Sequence, residues 1–108
     1  MNANEKYLDL GDDLTITKTT RRSAGSGTWV IGAIAGHRFN ALVFAEHAES
    51  PDYELGESRI SKLWIRDEAD GRTVCNFDRG WDIQPATAIA AAITDFLAAG
   101  LAEHIYGK

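Results

Sequence analysis

Residues Ser58 to Pro85, SRISKLWIRDEADGRTVCNFDRGWDIQP, constrain the fold more than any other part of the chain. They read as two strands, Arg59 to Asp67 and Arg72 to Asp78, joined by Glu68-Ala69-Asp70-Gly71, a turn whose glycine supplies a left-handed residue. An Arg-Gly-Trp corner flanked by aspartates follows, and then Pro85, which suits the first turn of a helix because its missing N–H costs nothing there. From Pro85 to Tyr106 the spacing of Ile89, Ile93, Phe96, Leu97, Leu101 and Ile105 is helical, and Gly107 is placed to end the helix. Gly100, on or near that stripe, predicts a close crossing of helix and strand.

A second hairpin precedes this block. Thr28 to Ala35 and Arg38 to Glu46 are apolar strands on either side of a two-residue loop, Gly36-His37. Trp29, Ile31 and Ala33 share one face of the first strand; Asn40, Leu42, Phe44 and Glu46 share one face of the second. Both faces are largely apolar, which predicts a central position in the sheet. Leu14 to Thr20 alternates as a short edge strand with Leu14, Ile16 and Lys18 on one face, and residues 1–13 are expected to form a loose arm or one helical turn docking through Tyr7, Leu8 or Leu10. At 108 residues the chain is one domain, residues 1–108, and strands followed by a single long helix predict an α+β fold: an antiparallel sheet of about five strands packed on the C-terminal helix.

Several functions are disfavoured by what the chain contains. Cys75 is the only cysteine, so no internal disulfide or Cys/His zinc cluster can form, and a reducing cytoplasmic setting is expected. The start is polar and acidic where a signal peptide needs a basic end and an apolar run, and no eighteen apolar residues are consecutive, so no membrane association is expected. His37, His47 and His104 lack metal-ligand spacing, and neither a metal nor another cofactor is expected. The small-residue loop Arg21 to Gly27 lacks the Gly-Lys-Ser/Thr ending and following helix of a phosphate-binding loop.

Four features stand out. Glu46, Glu49, Asp52, Glu54 and Glu57 lie in a stretch without Lys or Arg, within a chain of net charge −5. That run disfavours direct nucleic-acid binding and suits a protein partner with a basic surface. Trp64 between Lys62 and Arg66 has the composition of a contact surface, or is covered by neighbouring stems or the N-terminal arm. Asp78, Arg79, Gly80, Trp81 and Asp82 form the corner, read as structural: Gly80 lets the chain leave the sheet, Trp81 fills the space beneath the helix start, and Asp82 meets free N–H groups at the helix N-terminus. Ile60 is assigned to the face of Lys62, Trp64 and Arg66. The helix face carrying Ala91, Ala98, Ala99 and Ala102 is poor in solvating groups and suits a homodimer contact.

The stretch from Trp29 through Pro85, with SRISKLWI and DRGWD as its most specific elements, resembles a family of small uncharacterised domains of bacteria, their phages and mobile elements. That resemblance implies no catalytic residues and favours a phage-related or mobile-element protein that works by binding. The leading expectation is a small acidic interaction module, a candidate inhibitor of a host defence system of the anti-CRISPR kind. The alternatives are a self-associating structural domain, and an enzyme of unfamiliar type built on Asp78, Arg79, Asp82 and His37.

Overall fold

The structure, a computed structural model, describes residues 10–22 and 26–108. Expectations for Tyr7, Leu8 and Gly25 lie outside the described residues. After a helical turn, α1 (Leu10–Asp13), come β1 (Thr15–Arg21), β2 (Thr28–Ile34), β3 (His37–Val43), β4 (Ile60–Asp67), β5 (Thr73–Asp78), β6 (Trp81–Ile83) and the helix α2 (Ala88–Tyr106). Each strand pairs antiparallel with the one before it, giving a six-stranded sheet in sequence order. The α+β arrangement is as expected, with one strand more than five. The addition is β6, which the sequence presents as a corner because it is only three residues long.

The hairpin turn between β2 and β3 is Ala35-Gly36, one residue earlier than expected. Both residues are left-handed, φ 52° and 73°, the pair of conformations that a tight hairpin with right-handed strand twist requires. His37 is therefore a strand residue, buried, with its Nδ1 donating to Ala35 O at 2.7 Å.

One face of the sheet is dry. Val30, Ile34, Phe39, Ala41, Val43, Leu63, Ile65, Cys75 and Phe77 are buried there against Ala90, Ile93, Leu97 and Leu101 of α2. Each fully buried Ile or Leu contributes about 1.5–3 kcal/mol, so α2 is the principal cover of the sheet. Ile60 belongs to this face too. Register slips between Leu42 and Val43, with Val43 opposite Ile60 and Leu42 opposite Lys62, and that bulge turns Ile60 inward, away from Lys62, Trp64 and Arg66. A similar irregularity between Ile16 and Lys18 places those two on opposite faces rather than together. At Gly32 a Cβ would lie 2.6 Å from Thr15 O and 2.7 Å from the Phe39 ring, so glycine lets Phe39 lie flat under β1 and β2.

The helix starts later than Pro85. Ala86 N–H still donates to Val74 O (2.8 Å), and Thr87 caps the helix by accepting from Ala90 N–H at 3.0 Å. Gly107, left-handed at φ 75°, ends it. Nothing approaches within 4 Å of a Cβ built on Gly100, so the expected close crossing is absent there and nothing in the structure explains that glycine. By length and composition alone α2 is apolar enough to cross a bilayer, with mean hydropathy 1.4; here its apolar stripe packs on the sheet. At its last turn the Tyr106 hydroxyl donates to Val43 O (3.0 Å) and accepts from Thr28 Oγ1 (2.9 Å).

Candidate binding surface

Because side chains alternate along a strand, burying Phe39, Ala41 and Val43 under α2 turns Arg38, Asn40 and Leu42 to the other face of the sheet. Register then assembles that face from its neighbours. Trp29, Leu42, Lys62 and Asp78 form one row across β2 to β5; Ile31, Asn40, Trp64 and Asn76 form the next; Ala33, Arg38 and Arg66 the third. Lys18 joins the second row from β1, opposite Ile31. Both α1, through Leu10, and α2 pack on the other side, and among the described residues no helix lies over these rows.

The expected cluster of Lys62, Trp64 and Arg66 is therefore real as a cluster, and it is the middle of a larger surface. Trp64 is held in place: its Nε1 donates to Thr73 Oγ1 at 3.1 Å, and the Arg66 guanidinium lies 5.8 Å from the ring centroid. Arg66 Nη2 is 3.3 Å from Glu68. Lys62 Nζ and Arg79 Nε share Asp78 at 3.7 and 3.9 Å, distances at which the carboxylate is a loose counter-ion. Trp29 and Trp64 are each only partly covered and border a hollow of about 200 Å³ with Asn40, Lys62 and Asn76 between them; a second hollow, about 330 Å³, opens beside Trp64 among Ile31, Arg38, Asn40 and Arg66.

At one end of this face a cleft of about 490 Å³ opens between β3, β4 and the acidic loop, floored by Leu42, Phe44 and Ser61. Arg22, Lys62 and Arg79 reach it, Arg22 lying 5.6 Å over the Phe44 ring.

The acidic run does not present five equivalent carboxylates. Glu54 is only 6% exposed and folds inward, accepting from His47 Nδ1 (2.8 Å), Ala48 N–H (2.5 Å) and Arg59 N–H (3.3 Å). Burial by itself raises its pKa, but the hydrogen bonds from Ala48, His47 and Arg59 outweigh that and leave it below the ordinary carboxylate range. Glu46 is bridged by Lys108 Nζ at 3.1 Å. Glu49, Asp52 and Glu57 are the ones that face solvent without an ion pair among the described residues, and Tyr53, 54% exposed, stands beside Asp52. Arg59 supports the loop from a left-handed backbone (φ 63°), its guanidinium donating to Ala45 O at 2.6 Å and to Lys108 O.

The corner differs from its expected form. Arg79 (φ 52°) and Gly80 (φ 147°) make the reversal into β6, closed by Asp78 N–H to Gly80 O (2.8 Å) and tied to β4 by Arg79 N–H to Ser61 O (2.9 Å). Trp81 is 39% exposed and stacks edge-on against Phe77 at 5.1 Å; it walls a groove with Leu55, Pro85, Ala91 and Ala98 instead of filling the space beneath the helix start. Asp82 is exposed on β6, and Thr87, not Asp82, caps α2. Of the alanine face, Ala91, Ala98 and Ala99 line that groove, whereas Ala102, 3% exposed, belongs to the core.

Of the residues considered for unfamiliar catalysis, Asp78 and Arg79 are neighbours at 3.9 Å, but His37 is not brought to them. His37 is paired with Asp67 and Asp78 with Lys62, five residues apart on β4, which separates them by roughly 16 Å along the strand. Cys75 is buried, its thiol pKa raised by burial with a small opposing contribution from the Thr94 hydroxyl. Among the described residues no group of three or more His, Cys, Asp and Glu is placed to hold a metal ion.

A family model described as Domain of unknown function (DUF7678) matches residues 28–102, from the first residue of β2 into the last turns of α2. The chain belongs to the DUF7678 family. No curated protein and no solved structure matches it. The DUF7678 match takes in both indoles, both asparagines and the cations of β3 and β4, while β1, Arg22 and the Lys108 tether fall outside it. Of this face, the sequence alone singles out Lys62, Trp64 and Arg66 but not Trp29, Arg38, Asn40 and Asn76. The signal was present in the alternation of β2 and β3, but it needed the pairing register to bring four strands into one surface.

Proposed function

We propose that the protein is a binding module rather than an enzyme, and that its contact surface is the uncovered face of the sheet. The observation that supports this most is the pairing of two partly exposed indoles, Trp29 and Trp64, with Arg38, Lys62 and Arg66 on a face that no helix among the described residues covers. An open antiparallel face needs only polar side chains to be stable. Aromatic rings next to arginine are instead the composition that carries binding energy at contact surfaces. Trp64 is moreover fixed by Thr73 and Arg66 before any partner arrives, which lowers the ordering cost of association.

A second reading keeps the acidic loop as the contact, facing a basic protein such as a component of a host defence system. It is favoured by the exposed Tyr53 next to Asp52, with Glu49 and Glu57 on the same loop. Co-purification from the source cells, with bound protein and nucleic acid both analysed, separates the two. The expected result is a partner retained by the unmodified protein and by a Glu49→Gln, Asp52→Asn, Glu57→Gln variant, and lost from a Trp64→Ala, Arg38→Gln variant. Loss from the loop variant alone establishes the second reading and removes the first.

A further inference from the structure

Resting on the reading of the open face as the contact surface, we infer that its ligand is a single-stranded nucleic acid, with bases stacked on Trp29 and Trp64 and the backbone held by Lys18, Arg38, Lys62 and Arg66. Charge on this protein is segregated. The chain carries net charge −5, yet the rows across β1 to β5 hold those four cations against two neighbouring carboxylates, Asp78 beside Lys62 and Glu68 beside Arg66, while the adjoining cleft is mixed, Arg22 and Arg79 sharing it with Glu46, Glu49 and the hydrogen-bonded Glu54. Acidic side chains elsewhere repel a polyanion and confine it to this face. Counter-charge explains the cations but not the rest of the surface. The indole of Trp64 lies in one row between two primary amides, Asn40 and Asn76, which can donate to and accept from base edges next to a stacked ring.

Strand spacing and rise place Trp29 and Trp64 roughly 12 Å apart, two strands and two residues removed. That separation suits a splayed strand whose bases are free to leave their own stack. A duplex keeps its base faces inside, so it can meet the cations but not the indole faces. An acidic polypeptide likewise satisfies the cations and leaves the indoles and amides without a role. Only a single strand uses all three kinds of side chain.

The test is fluorescence anisotropy on the full chain at about 50 mM salt, where phosphate contacts are strong. Four labelled probes are compared, each of roughly 12 residues, within the span such platforms track: oligothymidylate, oligouridylate, a DNA duplex and oligoglutamate. The expected result is saturable binding of one or both single strands, tighter than the duplex and oligoglutamate, with quenching of tryptophan fluorescence. A preference between thymidylate and uridylate identifies DNA or RNA as the source. Trp64→Ala should weaken binding about tenfold or more, with Trp64→Phe recovering most of it, because any aromatic face stacks. Lys62→Gln with Arg66→Gln should weaken binding and make it less salt-dependent, each lost phosphate contact removing about 0.7 from the salt slope. Thermal unfolding of the same variants confirms that they are folded.

Equal or tighter binding of the duplex, or affinity unchanged in Trp64→Ala, overturns the inference. Preferred binding of oligoglutamate also overturns it while leaving the open face as a contact surface for acidic protein. No binding of any probe at about 100 μM, the weak end of non-specific nucleic-acid affinity, overturns it as well; the wider reading is then judged by whether co-purification still depends on Trp64 and Arg38.

Discussion

The two faces of the sheet are woven from the same strands with the same alternation, yet they behave as different materials. Under α2, Val30, Phe39, Ile65 and Val74 are wholly excluded from water. On the reverse, one residue away along each strand, Trp29, Asn40, Trp64 and Arg66 are half covered, and polar and aromatic groups alternate with cations. Folding accounts for the first set. It requires burial, and each member touches the helix or its neighbours in a continuous apolar cluster. The second set lies outside that cluster.

Adjacent residues give the hardest test of that distinction. Phe39 and Asn40 are consecutive on β3 and point to opposite faces. Phe39→Ala should cost about 3–5 kcal/mol in urea unfolding, as loss of a core aromatic does, whereas Asn40→Ala should stay within about 0.5 kcal/mol. A comparable loss at both would mean that the open face is structural and would break the comparison. Gly32→Ala comes next, at about 1–3 kcal/mol, because its Cβ meets the Thr15 carbonyl, which is backbone and cannot rotate away. A neutral result by thermal melting would show that β1 moves freely on β2.

Glu54 belongs with the buried set although it sits in a run that looks like surface charge. Its pKa is lowered in the folded state, so the folded protein binds fewer protons than the unfolded chain and gains stability above the unfolded carboxylate pKa. That contribution is lost as pH falls from the ordinary value of 4.5 through the lower folded one. Glu54→Gln should lower stability at neutral pH and flatten this acid limb in a pH series of melts, while Glu57→Gln, at an exposed side chain, should leave stability at neutral pH unchanged. Thr87→Ala should loosen the cover of the core face by about 1 kcal/mol, the worth of a helix cap. The smallest effect sharpens the open face: Lys62→Gln with Arg66→Gln should shift unfolding by no more than about 0.5 kcal/mol, since both pairs are partly solvated.

Much of the dry face was legible in the sequence and little of the open one. Strand alternation, the glycine turns and the helical stripe of Ile93, Leu97 and Leu101 are local signals, and local signals place a core. The bulge that buries Ile60 leaves no mark on composition, because one extra residue in a strand only reverses the phase of its alternation from that point on. The start of α2 was displaced because Pro85 fits a first helical turn, while the decisive events are Ala86 bonding to β5 and Thr87 capping. At the candidate site, Lys62, Trp64 and Arg66 were visible because they alternate within one strand. Trp29, Asn40 and Asn76 come from three others, and only register joins them. The acidic run was visible as charge, but not the inward turn of Glu54, which depends on donors from His47, Ala48 and Arg59.

The strictly sequential order of the strands has a consequence for how the protein is made. Every strand pairs with the one synthesised just before it, so the sheet can zip as the chain leaves the ribosome, hairpin by hairpin, on a timescale of about 1–10 μs each. Synthesis is far slower, at about 5–20 residues per second. The residues that seal the dry face, Ile93, Leu97 and Leu101, come after all six strands. Phe39, Leu63 and Ile65 therefore have no cover until α2 joins the strands, and the interval before α2 docks is when the chain is most exposed to aggregation.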